Sequence, residues 1–444
     1  MTFVPHTDKD RAEMLAAIGV GSMDDLFADI PEGLRVKALN MGEGLSEQEV
    51  YDRLHEMSHR NAHSLISFLG GGFYDHIIPA AVDSLTSRGE FFTAYTPYQP
   101  EVSQGTLQAI FEYQSMICRL TGMDAANASM YDGGTALAEA VMMAVNVTGR
   151  DKVVMSAGVN PVYRLMIRSY TNNLGIRLME LPASPDGVID RAAAAAALDG
   201  DTAALIVQNP DYFGTADDFT DLAQKTSGAG VLLIASVYPV SLGLLKRPGD
   251  MGADIVTGEG QSLGLPLSFG GPYLGFFAVR QALVRKMPGR IVGDTVDRRG
   301  KRCFVLTLQA REQHIRREKA TSNICTNEAL CALRATVFLS LLGRQGLREM
   351  AESCARKAAY AKRRLAQIKG LRVRNRAPTF NEFTIELPVE AGGVVCKLID
   401  RGFAAGFPLG RYYPELGNCL LMALTEKRSK AEIDSFATAL EVAL

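Results

Sequence analysis

The chain has 444 residues, 47% of them apolar and 22% charged, which exceeds one small core and describes a folded enzyme-type chain, not a fibre or a disordered tail. A net charge of −2 with interspersed signs, no basic stripe and no long apolar run argues against nucleic-acid and membrane partners; with no secretory leader, the expected home is cytoplasmic. Seven scattered cysteines without CxxC or His-clustered spacing read as reduced thiols, so neither a disulfide framework nor a metal site is expected.

In chain order, Thr7 is placed to cap a helix over 8–18, a second helical segment covers 22–30, and Ser46 with Glu49 forms a capping box ahead of 51–60. These short segments predict an N-terminal helical arm over 1–75. From Lys152 the runs KVVMSAG, IRLMELP, TAALIVQNP and VLLIAS read as strands, separated by the helical segments PVYRLMIRSYTNNLG, DRAAAAAALDG and DFTDLAQKTSGAG. That alternation predicts an α/β domain over 76–325, with a large, mostly parallel sheet covered on both faces. Beyond 326 come a long helical stretch over 328–368, strand candidates LRVRN and NEFTIELP, a helix near 394–401, the strand NCLLMAL and a last helix from Lys430. This predicts a small α+β domain over 326–444.

In open parallel sheets a ligand sits beyond the carboxyl ends of the strands, with any phosphate on a helix N-terminus. Tyr131-Asp132-Gly133-Gly134-Thr135-Ala136 opens a helix running to about Asn146. Gly133 and Gly134 would let backbone approach an anion and Thr135 offers a hydroxyl, although the same residues also suit an ordinary helix start capped by Thr135. Gln208-Asn209-Pro210-Asp211-Tyr212-Phe213-Gly214 follows an apolar strand and faces the same crevice, with Asn209 a candidate contact; Asn-Pro is equally a plain turn signal. GxGxxG and GxxxxGK[ST] are absent, which argues against dinucleotide and P-loop sites.

The pairing of these two loops resembles fold-type-I pyridoxal-phosphate enzymes, which need a lysine to bind the cofactor as an imine and an acid at the pyridine nitrogen. Neither stands where expected. The strand VLLIAS ends in Ser236-Val237-Tyr238, where an Asp is expected, and in GADIVTGEGQS (252–262) Gln261 takes the lysine's place. An amide cannot form an imine. Lys246 comes a strand too early, and Lys319 lies in a helix-like basic run.

Four motifs, LGGGFYDHIIP (69–79), FFTAYTPYQPEVSQGTLQAIFEYQ (91–114), YDGGTALAEA (131–140) and LQAREQHIRREKATSNICTN (308–327), resemble the N-terminal-half signatures of the glycine cleavage system P-protein, glycine dehydrogenase (decarboxylating). The resemblance runs through essentially the whole chain. It implies a separate alpha-type chain of a heteromeric complex in which a lysine-bearing beta subunit holds pyridoxal 5'-phosphate covalently and this chain holds none. It further implies decarboxylation of glycine and transfer of the aminomethyl group to the lipoyl group of an H-protein.

On that reading no residue of this chain is itself catalytic. Tyr95, Thr96 and Tyr98 are candidate contributors to a shared active site, because the prolines of Tyr-Thr-Pro-Tyr-Gln-Pro stiffen the loop that carries them; a plain interface loop is the alternative. His76, beside Gly70-Gly71-Gly72, is either a proton carrier or a hydrogen-bonded structural residue. Gly133, Gly134, Thr135 and Asn209 form a vestigial cofactor cradle. Arg311, His314, Arg316 and Arg317, with Lys319, concentrate positive charge for the glycine carboxylate, a cofactor phosphate or an acidic H-protein surface; otherwise they form a solvated helix face paired with Glu312 and Glu318. Two other functions stay open: a purely structural partner subunit, and a self-sufficient pyridoxal-phosphate enzyme using Lys246 or Lys319.

Overall fold

The computed structural model describes residues 5–36, 38–182, 188–325 and 328–444. The chain divides into two compact units, 1–63 and 64–444. In the first, Thr7 and Ser46 open the helices Asp8–Ile18 and Glu47–His59, each through a reciprocal capping box. The stretch 22–30, expected as a helix, closes only the short 3-10 turn Asp24–Phe27. Asp25 spends its carboxylate on the Gly21 and Ser22 amides, and Pro31 disfavours helical geometry in the residue before it.

The second unit begins with the short strand β1 (Ile66–Ser67). Its large sheet is built from β2 (Ala125–Ala126), β3 (Lys152–Ser156), β4 (Arg177–Leu181), β5 (Thr202–Asn209), β6 (Leu232–Val237), β7 (Ile255–Glu259) and β8 (Gly275–Val279). The spatial order is β2-β8-β7-β6-β5-β3-β4. Strands β7, β6, β5, β3 and β4 are parallel, as the alternation of strands and helices predicts. Side chains of a strand alternate between faces, and here both faces are buried: Leu205, Val207, Leu233 and Ala235 enter one core cluster, Ala204, Ile206 and Ile234 the other.

Strand β8 runs antiparallel to β7, and β2 antiparallel to β8. A separate hairpin of β9 (Ile291–Val296) and β10 (Arg302–Thr307) follows. An apolar run carries no mark of strand direction, so periodicity announces neither feature.

The long C-terminal helix spans Ala329–Leu365 and is interrupted at Gly343, whose φ is 58°. After it come β11 (Arg372–Val373), β12 (Glu382–Glu386), β13 (Phe403–Ala404), β14 (Phe407–Pro408) and β15 (Cys419–Ala423). Four of these form an antiparallel sheet in the order β11-β12-β15-β14. The helices Ala391–Ile399 and Lys430–Ala443 pack on it through Val394, Leu398, Ile433 and Phe436. Strand β1 pairs in parallel with β13, so 64–75, expected in the arm, belong to the larger unit. No helix among the described residues is long and apolar enough to cross a membrane.

The C-terminal sheet is tied to the large one by buried polar contacts. Glu382 on β12, 4% exposed, accepts from the Gly71 amide at 2.6 Å and the Tyr74 hydroxyl at 2.7 Å. Asn375 and Thr384 both donate to the Phe213 carbonyl. At Gly214, φ is +89° and an added Cβ would lie 2.3 Å from the Glu382 carbonyl oxygen. Gly214→Ala is therefore expected to destabilise the chain by about 2–3 kcal/mol in chemical denaturation; unchanged stability would contradict this contact.

Burial pushes the Glu382 carboxyl up to about 7, against its Gly71 and Tyr74 hydrogen bonds. A carboxyl whose folded value lies above the unfolded one binds its proton more tightly when folded. Its stabilisation is full below the unfolded value and drains away as pH rises through the folded one. The melting temperature should fall between about pH 5 and 8, and Glu382→Gln should flatten that fall; an equal slope in both proteins would rule the assignment out.

Candidate functional site

The carboxyl ends of β5, β6 and β7 meet the N-terminus of the helix Gly133–Thr148. Between them lies a cavity of about 30 Å³ lined by Tyr74, Tyr163, Ser236, Tyr238 and Glu259 among others, room for roughly two waters. The Tyr74 and Tyr238 rings pack against each other in its wall, with centroids 4.3 Å apart.

The helix start differs from the expected cap. Asp132, not Thr135, is the N-cap: its carboxylate accepts from the Thr135 amide at 2.8 Å, and the Thr135 hydroxyl accepts from the Asp132 amide at 3.2 Å. The Gly133 amide donates to the Glu259 carboxylate at 2.9 Å. Added Cβ atoms would fall 2.7 Å from the Tyr163 hydroxyl at Gly133 and 2.4 Å from the Met166 sulfur at Gly134. The two glycines thus admit the helix Pro161–Thr171 to close packing.

Gln261 is 1% exposed. Its oxygen accepts from the Tyr74 amide at 2.9 Å, and its nitrogen donates to the Tyr74 carbonyl at 3.1 Å and the Leu265 carbonyl at 2.8 Å. Asn209 turns to its own loop, donating to the Asp217 carbonyl and accepting from the Asp217 amide. Ser236 sits in register between Gln208 and Thr257, and no carboxylate takes its place there. Lys246 reaches Asp218 and Thr220 at the surface, and Lys319 is exposed; neither lines the cavity. Pyridoxal phosphate, which the fold class implies, asks here for an imine-forming amine, an acid and a vacant anion cradle. The residues do not fit the group.

His76 is buried and bridges Glu426 at 2.7 Å and the Tyr238 hydroxyl, while the Cys354 thiol donates to Glu426 at 3.5 Å. The ligand-type atoms of His76, Cys354 and Glu426 lie within 4.8 Å of one another, a convergence that residue spacing cannot reveal. Each is already hydrogen-bonded within the group.

The other motifs converge on Arg290, which sequence reasoning missed because an isolated arginine in a turn carries no signal. Its guanidinium lies 4.2 Å from the centroid of the Tyr98 ring and donates to the Cys325 carbonyl at 2.9 Å. Glu312 lies 3.9 Å from Arg290 and 3.6 Å from His314. The basic run is not one solvated helix face: Leu308 and Arg317 have positive φ, which breaks it into short turns, and Glu312 is 4% exposed. Arg311 turns inward to the Met287 and Gly289 carbonyls, while Arg316 and Arg317 stay exposed. Tyr98 is half-buried, Thr96 is exposed, and Tyr95 is 86% exposed. Gln104 anchors this loop, joining the Pro100 carbonyl to Phe304 of β10.

The family model of the glycine cleavage system P-protein matches residues 1–440. A probable glycine dehydrogenase (decarboxylating) subunit 1 of Geotalea daltonii is 56% identical over 444 residues, covering 100% of both chains. The crystal structure of a glycine decarboxylase (P-protein) of the glycine cleavage system, in inhibitor-bound form, superposes with TM-score 0.93 at 44% identity, with 100% of each chain covered. A sphingosine-1-phosphate lyase of Burkholderia pseudomallei, with TM-score 0.68 and 15% identity over 92% of this chain and 93% of the other, shares the fold alone. The fold is that of fold-type-I pyridoxal-phosphate enzymes, and the chain belongs to the glycine cleavage system P-protein family, as one of its subunit 1, or alpha, chains.

Proposed function

We propose that this alpha chain works in P-protein as the half without a Schiff base, a beta subunit holding pyridoxal phosphate covalently and a lipoylated H-protein accepting the aminomethyl group. The observation that carries this reading is Gln261, an amide fully hydrogen-bonded in the lysine's place. The cofactor supplies the electron sink for loss of carbon dioxide from glycine, and this chain shapes the surroundings. The prolines of 95–100, the Tyr98–Arg290 stack and Gln104 hold Tyr95 and Thr96 on a stiff loop. From there they offer hydroxyls to a shared active site at the subunit interface. His314, Arg316 and Arg317 form an exposed basic group suited to an acidic partner surface, whereas Arg311 is committed inside the fold. The seven free thiols suit a cytoplasmic location.

In a co-purified alpha–beta complex assayed with lipoylated H-protein, Tyr95→Ala is expected to lower glycine decarboxylation about tenfold or more, with cofactor content unchanged. Normal turnover by that intact complex would leave this chain a purely structural partner.

A further inference from the structure

We infer that the Glu259 carboxyl fills the phosphate cradle of this chain's own crevice, so that the crevice takes up neither free phosphate nor the phosphate group of pyridoxal phosphate. The inference rests on the reading that the covalent cofactor belongs to the partner, and extends it to non-covalent binding.

Glu259 is the last residue of β7, which places its side chain at the carboxyl edge of the parallel strands, where ligands of such sheets bind. One carboxylate oxygen accepts from the Gly133 amide at 2.9 Å. The other accepts from the Gln261 amide at 2.9 Å and the Leu274 amide at 3.0 Å. Three backbone N–H groups thus converge on one carboxylate, the arrangement that binds anions in backbone nests and at helix starts. The second donor of the helix start, the Thr135 amide, is taken by Asp132 at 2.8 Å.

An incoming phosphate would meet these donors already paired and two carboxylates beside them, with no arginine or lysine among the cavity-lining residues. Space is closed as well. Glycine at 133 lets the Tyr163 hydroxyl and the Glu259 backbone approach to distances a side chain would forbid, and Met166 with the Tyr163 ring does the same at 134. Glu259 is 6% exposed, so removing the carboxylate would leave the Gly133, Gln261 and Leu274 amides buried without an acceptor. An anion is the partner such a cluster accepts.

The test uses the full-length chain, wild type and with Glu259→Ala or Glu259→Ser, probed with inorganic phosphate and separately with pyridoxal phosphate. Thermal melting and equilibrium dialysis are the readouts. Wild type is expected to show no saturable binding and no phosphate-dependent rise in melting midpoint. The variants are expected to gain phosphate binding and a rise of about 2 °C or more at saturation. Saturable binding of either probe by wild type overturns the inference, as does a cooperatively melting variant that ignores phosphate. If neither variant folds, the wild-type arm still decides. Saturable binding by wild type without a borohydride-trapped lysine contradicts only the Glu259 assignment, whereas a trapped lysine on this chain contradicts the partner-cofactor reading itself.

Discussion

The side-chain amide of Gln261 is the joint on which the interior depends. It meets both the amide and the carbonyl of Tyr74, a residue 187 positions away, and the Tyr74 hydroxyl carries the connection to Glu382 on β12. The end of β7, the glycine-rich segment at 70–72 and the C-terminal sheet are thereby held in one register. A lysine offers donors and no acceptor. In this position it would leave the Tyr74 amide unpaired in a buried site, at a cost of about 1–3 kcal/mol. The glutamine therefore supplies the acceptor that the closed segment needs.

The same exchange of chemistry for structure recurs around it. Burial pushes the Glu259 carboxyl up to about 7, against its backbone donors, and Glu139 is likewise pushed up to about 7 by burial. In an active site such groups would be candidates for proton transfer; here Glu259 closes the crevice around a helix start. Polar groups free to meet another molecule lie elsewhere, on the 95–100 loop and the turns after Leu308. These two segments, about two hundred residues apart, are brought together by the Tyr98–Arg290 stack and by Glu312. A P-protein alpha chain with a self-satisfied interior and a stiff, hydroxyl-bearing outer loop is suited to the shared site proposed above.

Much of this was legible in the residues because it rests on local rules. The strands and helices between 152 and 237 announce themselves by length and apolar patterning, and Ser46 and Glu49 by their capping spacing. What stayed hidden depends on distant partners. Nothing near Glu382 hints that Tyr74 donates to it, nor does Arg290 stand out before Tyr98 is seen stacked on it. The Gly133-Gly134 pair shows the limit well. The pair suggests backbone approach to an anion, whereas Tyr163 and Met166 of the neighbouring helix pack against it, and local sequence cannot place those two residues.

The central claim is that the imine-forming lysine of the complex lies outside this chain. Borohydride reduction of the co-purified two-subunit complex, followed by peptide mapping, tests it directly. The account predicts a pyridoxyl-lysine on the beta subunit and none on this chain; a pyridoxyl group on Lys246, Lys319 or any other lysine of this chain would contradict it.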